Sequence, residues 1–96
     1  MFFRVVESHD WKFLTNHGLV LLCIADDPGV RLRDVADRVG ITERAAHRIV
    51  SGLIETGYVG RERIGRRNTY EIRTDLPIRG LERDVQLGEL LAIVAT

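Results

Sequence analysis

Leu32, Val35, Ala36 and Val39 recur at i, i+3, i+4 and i+7, the stripe of a helix with one buried face. The stripe stops at Gly40, where a helix end favours a left-handed residue. Ile41 then plugs the turn and Thr42 supplies an N-cap oxygen. A second stripe follows, made of Ala46, Ile49, Val50, Leu53 and Ile54, and it predicts a helix from Glu43 to about Thr56 with Gly57 as its stop. Upstream, Leu19 to Ala25 is almost continuously apolar. This predicts a helix capped at Thr15 or Asn16, ending near Ala25 and buried on more than one side. Asp26-Asp27-Pro28-Gly29 is a strong stop and turn.

After Gly57 the pattern changes to a hairpin. Tyr58–Ile64 and Thr69–Arg73 read as strands, and Gly65-Arg66-Arg67-Asn68 reads as the tip, with Gly and Asn able to take positive φ. Pro77 and Gly80 punctuate a linker, and a last helix is expected from about Leu81 to Ala95. Phe2–Val6 is expected as a short strand or a covering arm, with Trp11, Phe13 and Leu14 as packing residues.

The order helix, tight turn, helix, hairpin is that of a helix-turn-helix with a wing. The fold class expected is α+β, mostly α. It is a single domain over residues 1–96 with a core at about 15–73, a two- or three-stranded antiparallel wing and a C-terminal helix. Ninety-six residues is one domain's worth of chain.

Composition is near the soluble average, and 14 basic residues balance 14 acidic ones. The balance is uneven along the chain. Residues 1–40 carry 5 positive and 6 negative side chains, residues 41–73 carry 7 and 4, and residues 74–96 carry 2 and 4. The basic third is also the third with the second stripe and the hairpin, and its positive charges are all arginine. The planar guanidinium fork suits phosphate and guanine edges.

On the second striped helix, Arg44, His47, Arg48 and Ser51 share the side opposite the apolar stripe. A helix fits the major groove of duplex DNA, where Arg can grip guanine O6 and N7 together. Thr42 and Glu43 stand at the helix start, the end that reaches base edges. Glu43 would accept from a cytosine amine or complement the helix dipole. Arg61, Arg63, Arg66, Arg67 and Asn68 in the hairpin complete the candidate DNA-binding set. The competing explanations are a solvated helix face and a charged hairpin tip that blocks edge pairing.

The stretch RLRDVADRVGITERAAHRIVSGLIETGYVGRERIGRRNTYEI resembles the winged helix-turn-helix core of the MarR/ArsR-type transcription regulators of bacteria and archaea. Leu14-Thr15-Asn16-His17 and Gly65-Arg66-Arg67-Asn68-Thr69-Tyr70 are similar to segments of their small single-domain members. The resemblance implies sequence-specific double-stranded DNA binding as a transcription regulator, with helix 43–56 in the major groove and wing 60–73 on backbone or minor groove. The alternative, a winged-helix protein-interaction module without DNA binding, is left open by the zero net charge. Two departures stand out. Arg31 occupies the position where the family often has a capping Ser or Thr, so that this helix end is expected to fray or use Asp34. No CxC or His/Asp cluster marks a metal-sensing site, and that function does not carry over.

Other chemistry is not signalled. No GxSxG, P-loop or HExxH motif is present, so no enzyme and no cofactor is expected. His9 and His17 are eight apart and predict no metal site. Cys23, alone in an apolar helix, is expected to be inert and excludes a disulfide frame. No apolar run is long enough to cross a membrane, and Arg4, Glu7 and Asp10 interrupt any signal-peptide core, which suggests a cytoplasmic protein. In the last helix, Leu81, Val85 and Ala92 fall on one side and Leu87, Leu90 and Val94 on the other. A homodimer through helix 81–95 is therefore expected, with Gly88 allowing close approach and an inverted-repeat DNA site. A small-molecule pocket between the first and last helices is a further possibility, with no effector identifiable.

Overall fold

The computed structural model describes residues 13–80 and 85–94. Its elements are α1 (Asn16–Asp26), α2 (Leu32–Val39), α3 (Glu43–Glu55), β1 (Val59–Ile64), β2 (Arg67–Ile72) and α4 (Leu87–Val94). The architecture is mostly helical with one two-stranded antiparallel sheet, a winged helix-turn-helix.

The helix starts are chemically defined. Thr15 caps α1, its hydroxyl accepting from Gly18 N at 3.2 Å, and Thr42 caps α3, accepting from Ala45 N at 3.0 Å. Between α2 and α3 the chain turns at Gly40, whose φ of 81° is left-handed. Gly40 N and Ile41 N both donate to Ala36 O, closing the end of α2. Arg31 gives α2 no side-chain cap. Asp34 does not cap it either, although its carboxylate sits in the first turn and complements the helix dipole.

Five consecutive residues of α1, Val20 to Ile24, are buried, so this helix is enclosed on several sides as its apolar run predicts. Val35, Ala36 and Val39 of α2 and Ala46, Ile49, Val50 and Leu53 of α3 close over it. Val59 and Tyr70 bring the wing onto the same core. Each large aliphatic side chain buried there contributes ~1.5–3 kcal/mol. Asp26 and Arg38 join the far ends of α1 and α2 by an ion pair at 3.4 Å.

The wing differs from expectation at its tip. The strands pair from Val59↔Ile72 to Ile64↔Arg67, leaving only Gly65-Arg66 as the loop. Gly65 has φ 63° and no non-glycine residue among those described has positive φ, the pattern of a two-residue turn with glycine first. Arg67 and Asn68 are therefore strand residues, and Asn68 pairs with Arg63 instead of turning the chain. Two-residue turns of this kind match the strand twist, which favours zipping the hairpin further. Tyr70 N also donates to Pro28 O at 2.9 Å, tying β2 to the α1–α2 turn.

The C-terminal region departs further. The helix begins at Leu87, not near Leu81; residues 81–84 lie outside the described residues. Val85 O accepts from Ile78 N, Gln86 bridges Pro77 in antiparallel fashion, and Leu87 N donates to Leu76 O. The segment before α4 is thus held extended along the supposed linker, and Val85 belongs to no helical face. Glu89 reaches back to Gln86 N at 3.1 Å, the reciprocal half of a capping box. Gly88 N donates to Thr74 O, and a Cβ there would meet Thr74 Cβ at 3.1 Å. The close approach that Gly88 permits is to its own chain. Tyr58 fastens the same segment, its hydroxyl donating to Pro77 O and accepting from Arg79 N.

Phe13 was expected to pack, yet it is 91% exposed, and Leu14 is also exposed. They precede the first capped turn, so no helical contact draws them inward. The expected arm at Phe2–Val6 and the side chain of Trp11 lie outside the described residues.

Candidate nucleic-acid interface

On α3, Ala46, Ile49, Val50 and Leu53 are buried, while Arg44, His47, Arg48 and Ser51 are exposed. The 3.6-residue period forces this division: once the apolar stripe is on the core, the polar row must face water. Thr42 and Glu43 are exposed at the N-terminal end of the same row. Glu43 lies in the first turn, where the helix dipole favours a carboxylate. The six candidates on this helix therefore share one accessible side.

The wing sorts its residues by strand alternation. Arg61 is opposite Tyr70 and Arg63 opposite Asn68, so all four project from the sheet face that also carries buried Val59. Arg61 and Arg63 extend that face past the end of the core and are exposed. Arg63 Nε donates to Gly65 O at 3.2 Å, holding its guanidinium along the tip. Glu62, Ile64 and Arg67 occupy the other face. Ile64 is a large apolar residue left 62% exposed beside the tip.

Arg67 is not a free tip residue. Its Nη2 donates to Gly29 O at 2.8 Å, a second tie between wing and α1–α2 turn alongside Tyr70 N–Pro28 O. Arg66 remains at the tip and exposed. Around this tie a concavity of about 280 Å³ is lined by Gly29, Arg31, Arg66, Arg67, Asn68 and Tyr70 among others. Arg31 was visible in the sequence only as a missing cap. Its position opposite the wing tip depends on contacts between residues nearly forty apart, which no local pattern carries.

Elsewhere the chemistry is quiet. Cys23 is fully buried, and burial pushes its thiol above the ordinary range. The fold does bring Arg38 beside it, which acts in the opposite direction but does not prevail. His17 lies on α1, and His9 is outside the described residues. A shallow apolar groove of about 240 Å³ runs between α1 and α4, lined by Leu21, Leu53, Tyr58, Ile78, Leu87 and Leu90. Among the described residues, no helix is long and apolar enough to cross a membrane.

A helix pair joined by a three-residue turn, with its second helix capped by Thr42 and bearing a polar row, and a hairpin wing beside it, defines a DNA-binding domain of the winged helix-turn-helix class. The family model of the IclR helix-turn-helix domain matches residues 14–63, just over half of the chain. The chain belongs to that family, whose role is DNA-binding transcription regulation. The match runs from the residue before the α1 cap through nearly all of β1. The resemblance to MarR/ArsR-type regulators therefore holds at the level of the winged helix-turn-helix regulator, whereas the family matched is the IclR type, a different one. Comparison with curated proteins finds no match.

Proposed function

We propose that this domain binds duplex DNA sequence-specifically, with α3 in the major groove and the wing on the adjacent backbone or minor groove. The observation that carries the reading is the exposed row Thr42, Glu43, Arg44, His47, Arg48 and Ser51, set on a helix whose other side is buried. Arg44 and Arg48 read base edges or hold phosphate; Thr42, His47 and Ser51 add polar contacts, and Glu43 accepts from cytosine. Arg61, Arg63, Arg66, Arg67 and Asn68 hold the backbone from the wing.

The reading includes a homodimer on an inverted-repeat site. Its support has changed with the structure. The argument from Val85 falls away and Leu81 lies outside the described residues, but α4 still exposes Leu90 at 40% and Ile93 at 75%, while Leu87 and Leu91 are buried. Leu90 shares its groove with Thr15, adjacent to exposed Leu14. A second copy covering these side chains would place two α3 helices about one DNA turn apart, ~34 Å, or a multiple of it.

Selection of bound sequences from a random duplex pool tests both parts. A consensus with two-fold symmetry is the expected result. No enrichment, with no shift of random duplex at low salt, would instead favour a protein-interaction module that has kept the fold.

A further inference from the structure

We infer that the concavity between the start of α2 and the wing tip is a second anion site, which takes a backbone phosphate of the duplex beside the segment read by α3. The inference rests on the DNA-binding reading and deepens it, because it adds Arg31 and a location away from the α3 row.

Three arginines line this one hollow, Arg31, Arg66 and Arg67, and no acidic residue among those described lines it. Among the described residues, the guanidinium groups of Arg31 and Arg66 make no hydrogen bond or ion pair, so their donors are available. Arg67 is different. One of its nitrogens is committed to Gly29 O at 2.8 Å, which fixes the guanidinium at the wall of the hollow and leaves further donors for a ligand. Asn68 adds a half-buried amide. The nearest acids in sequence, Asp27 and Asp34, are not on the lining, and Asp27 Oδ1 accepts from Gly29 N instead.

Convergent like charges repel, and a concave arrangement of arginines is relieved by an anion that accepts from several of them at once. The volume of about 280 Å³ exceeds what one phosphate group needs. Tyr70 forms part of the wall, and its backbone N–H is spent on Pro28 O, so the wall keeps its shape without the ligand. A backbone phosphate is the source to which the geometry points, because one wall is the tip of the wing.

The test is a salt series of duplex binding, followed by fluorescence anisotropy, for the wild-type chain and for Arg31→Ala, Arg66→Ala and the control Arg79→Ala. Arg79 lines the groove on the α4 side, so on a single half-site duplex, where the proposed contact between copies plays no part, removing its charge measures the effect of net charge alone. Arg31→Ala and Arg66→Ala are each expected to lower the slope of log K against log salt by about one. They are expected to weaken chosen and random duplexes equally, and Arg31→Lys is expected to restore most of the slope. Arg79→Ala is expected to leave the slope unchanged. Wild-type binding with an unchanged slope and affinity in Arg31→Ala would overturn the inference while leaving the DNA reading intact. A wild-type chain that binds no duplex would instead overturn the DNA reading itself. A parallel NMR titration with inorganic phosphate separates the sources. Saturation of the Gly29 and Leu32 amide shifts by free phosphate, in a chain whose duplex binding ignores Arg31, would assign the hollow to a small anion and overturn the backbone assignment.

Discussion

The α3 side and the α4 side of this molecule expose opposite chemistry on helices built by the same rule. Both helices bury one apolar stripe. On α3 the opposite side is Arg44, His47, Arg48 and Ser51, whereas on α4 the uncovered positions include Leu90, Ala92 and Ile93 beside a single acid, Glu89. A polar row is content in water and becomes useful only to a ligand that supplies acceptors. An apolar row is stable only when covered, because each exposed Leu or Ile forgoes ~1.5–3 kcal/mol of burial. The difference supports the proposed division of partners, nucleic acid on the α3 side and a second protein chain on the α4 side. It also explains how a chain with zero net charge can hold DNA. Residues 41–73 carry 7 basic against 4 acidic side chains, an excess that comes from the wing because Glu43 and Glu55 balance Arg44 and Arg48 on α3, and the remainder carries 7 basic against 10 acidic.

The strongest way to break this contrast is to remove the polar row. Arg44→Ala and Arg48→Ala are each expected to cost ~1–3 kcal/mol on the best site and to relax preference at one base position. The melting temperature should hardly change, since both side chains are exposed. Equal weakening on specific and random duplex in a binding titration would make them phosphate contacts and not base readers.

A charge placed on the apolar side gives the complementary test. Leu90→Glu is expected to shift the monomer–dimer equilibrium toward monomer by roughly 2 kcal/mol or more, the scale of a central interface residue. Sedimentation at micromolar concentration measures it. Affinity for an inverted repeat should fall with it, while affinity for one half-site stays put. A wild-type chain already of monomer mass would end the dimer proposal.

The joint between the two sides is sharpened by Thr42→Ala. Loss of its bond to Ala45 N is expected to lower stability by ~1 kcal/mol, read from urea unfolding. DNA affinity should fall as well, because the helix end that fails to form is the one nearest the bases.

The smallest effect concerns Cys23. Burial raises its thiol pKa, so the folded chain keeps a proton that the unfolded chain releases near about pH 8.5. Stability contributed by the buried thiol is therefore intact below that range and declines as pH rises through it. Between about pH 7 and about pH 9.5 the urea midpoint should fall slightly more for the wild type than for Cys23→Ala. Iodoacetamide should label Cys23 only as the chain unfolds.

The sequence by itself determined the elements whose information is local. The stripe Leu32-Val35-Ala36-Val39, the stop at Gly40 and the cap at Thr42 each depend on residues within a few positions, and the helix bounds that they predict for α2 match those observed. The division of α3 into buried and exposed rows follows from the same period. The hairpin was legible as a hairpin, but its register was not. A four-residue tip and a two-residue tip differ only in how far the strands zip, and that depends on cross-strand pairs such as Arg63↔Asn68 and on the bond from Tyr70 N to Pro28 O. The start of α4 was decided in the same way. Residues 85 and 86 had helical spacing, yet Ile78 and Pro77 hold them extended, and backbone pairing across that loop outweighed local propensity. Gly88 had the composition of a close-contact residue, but only the fold could say that the contact is Thr74 of the same chain. Arg31 and Arg67 show the same limit at the candidate site. Their charges were plain in the sequence. Their convergence on one hollow, and the bond that fixes Arg67 to Gly29, arise only when the α1–α2 turn and the wing meet.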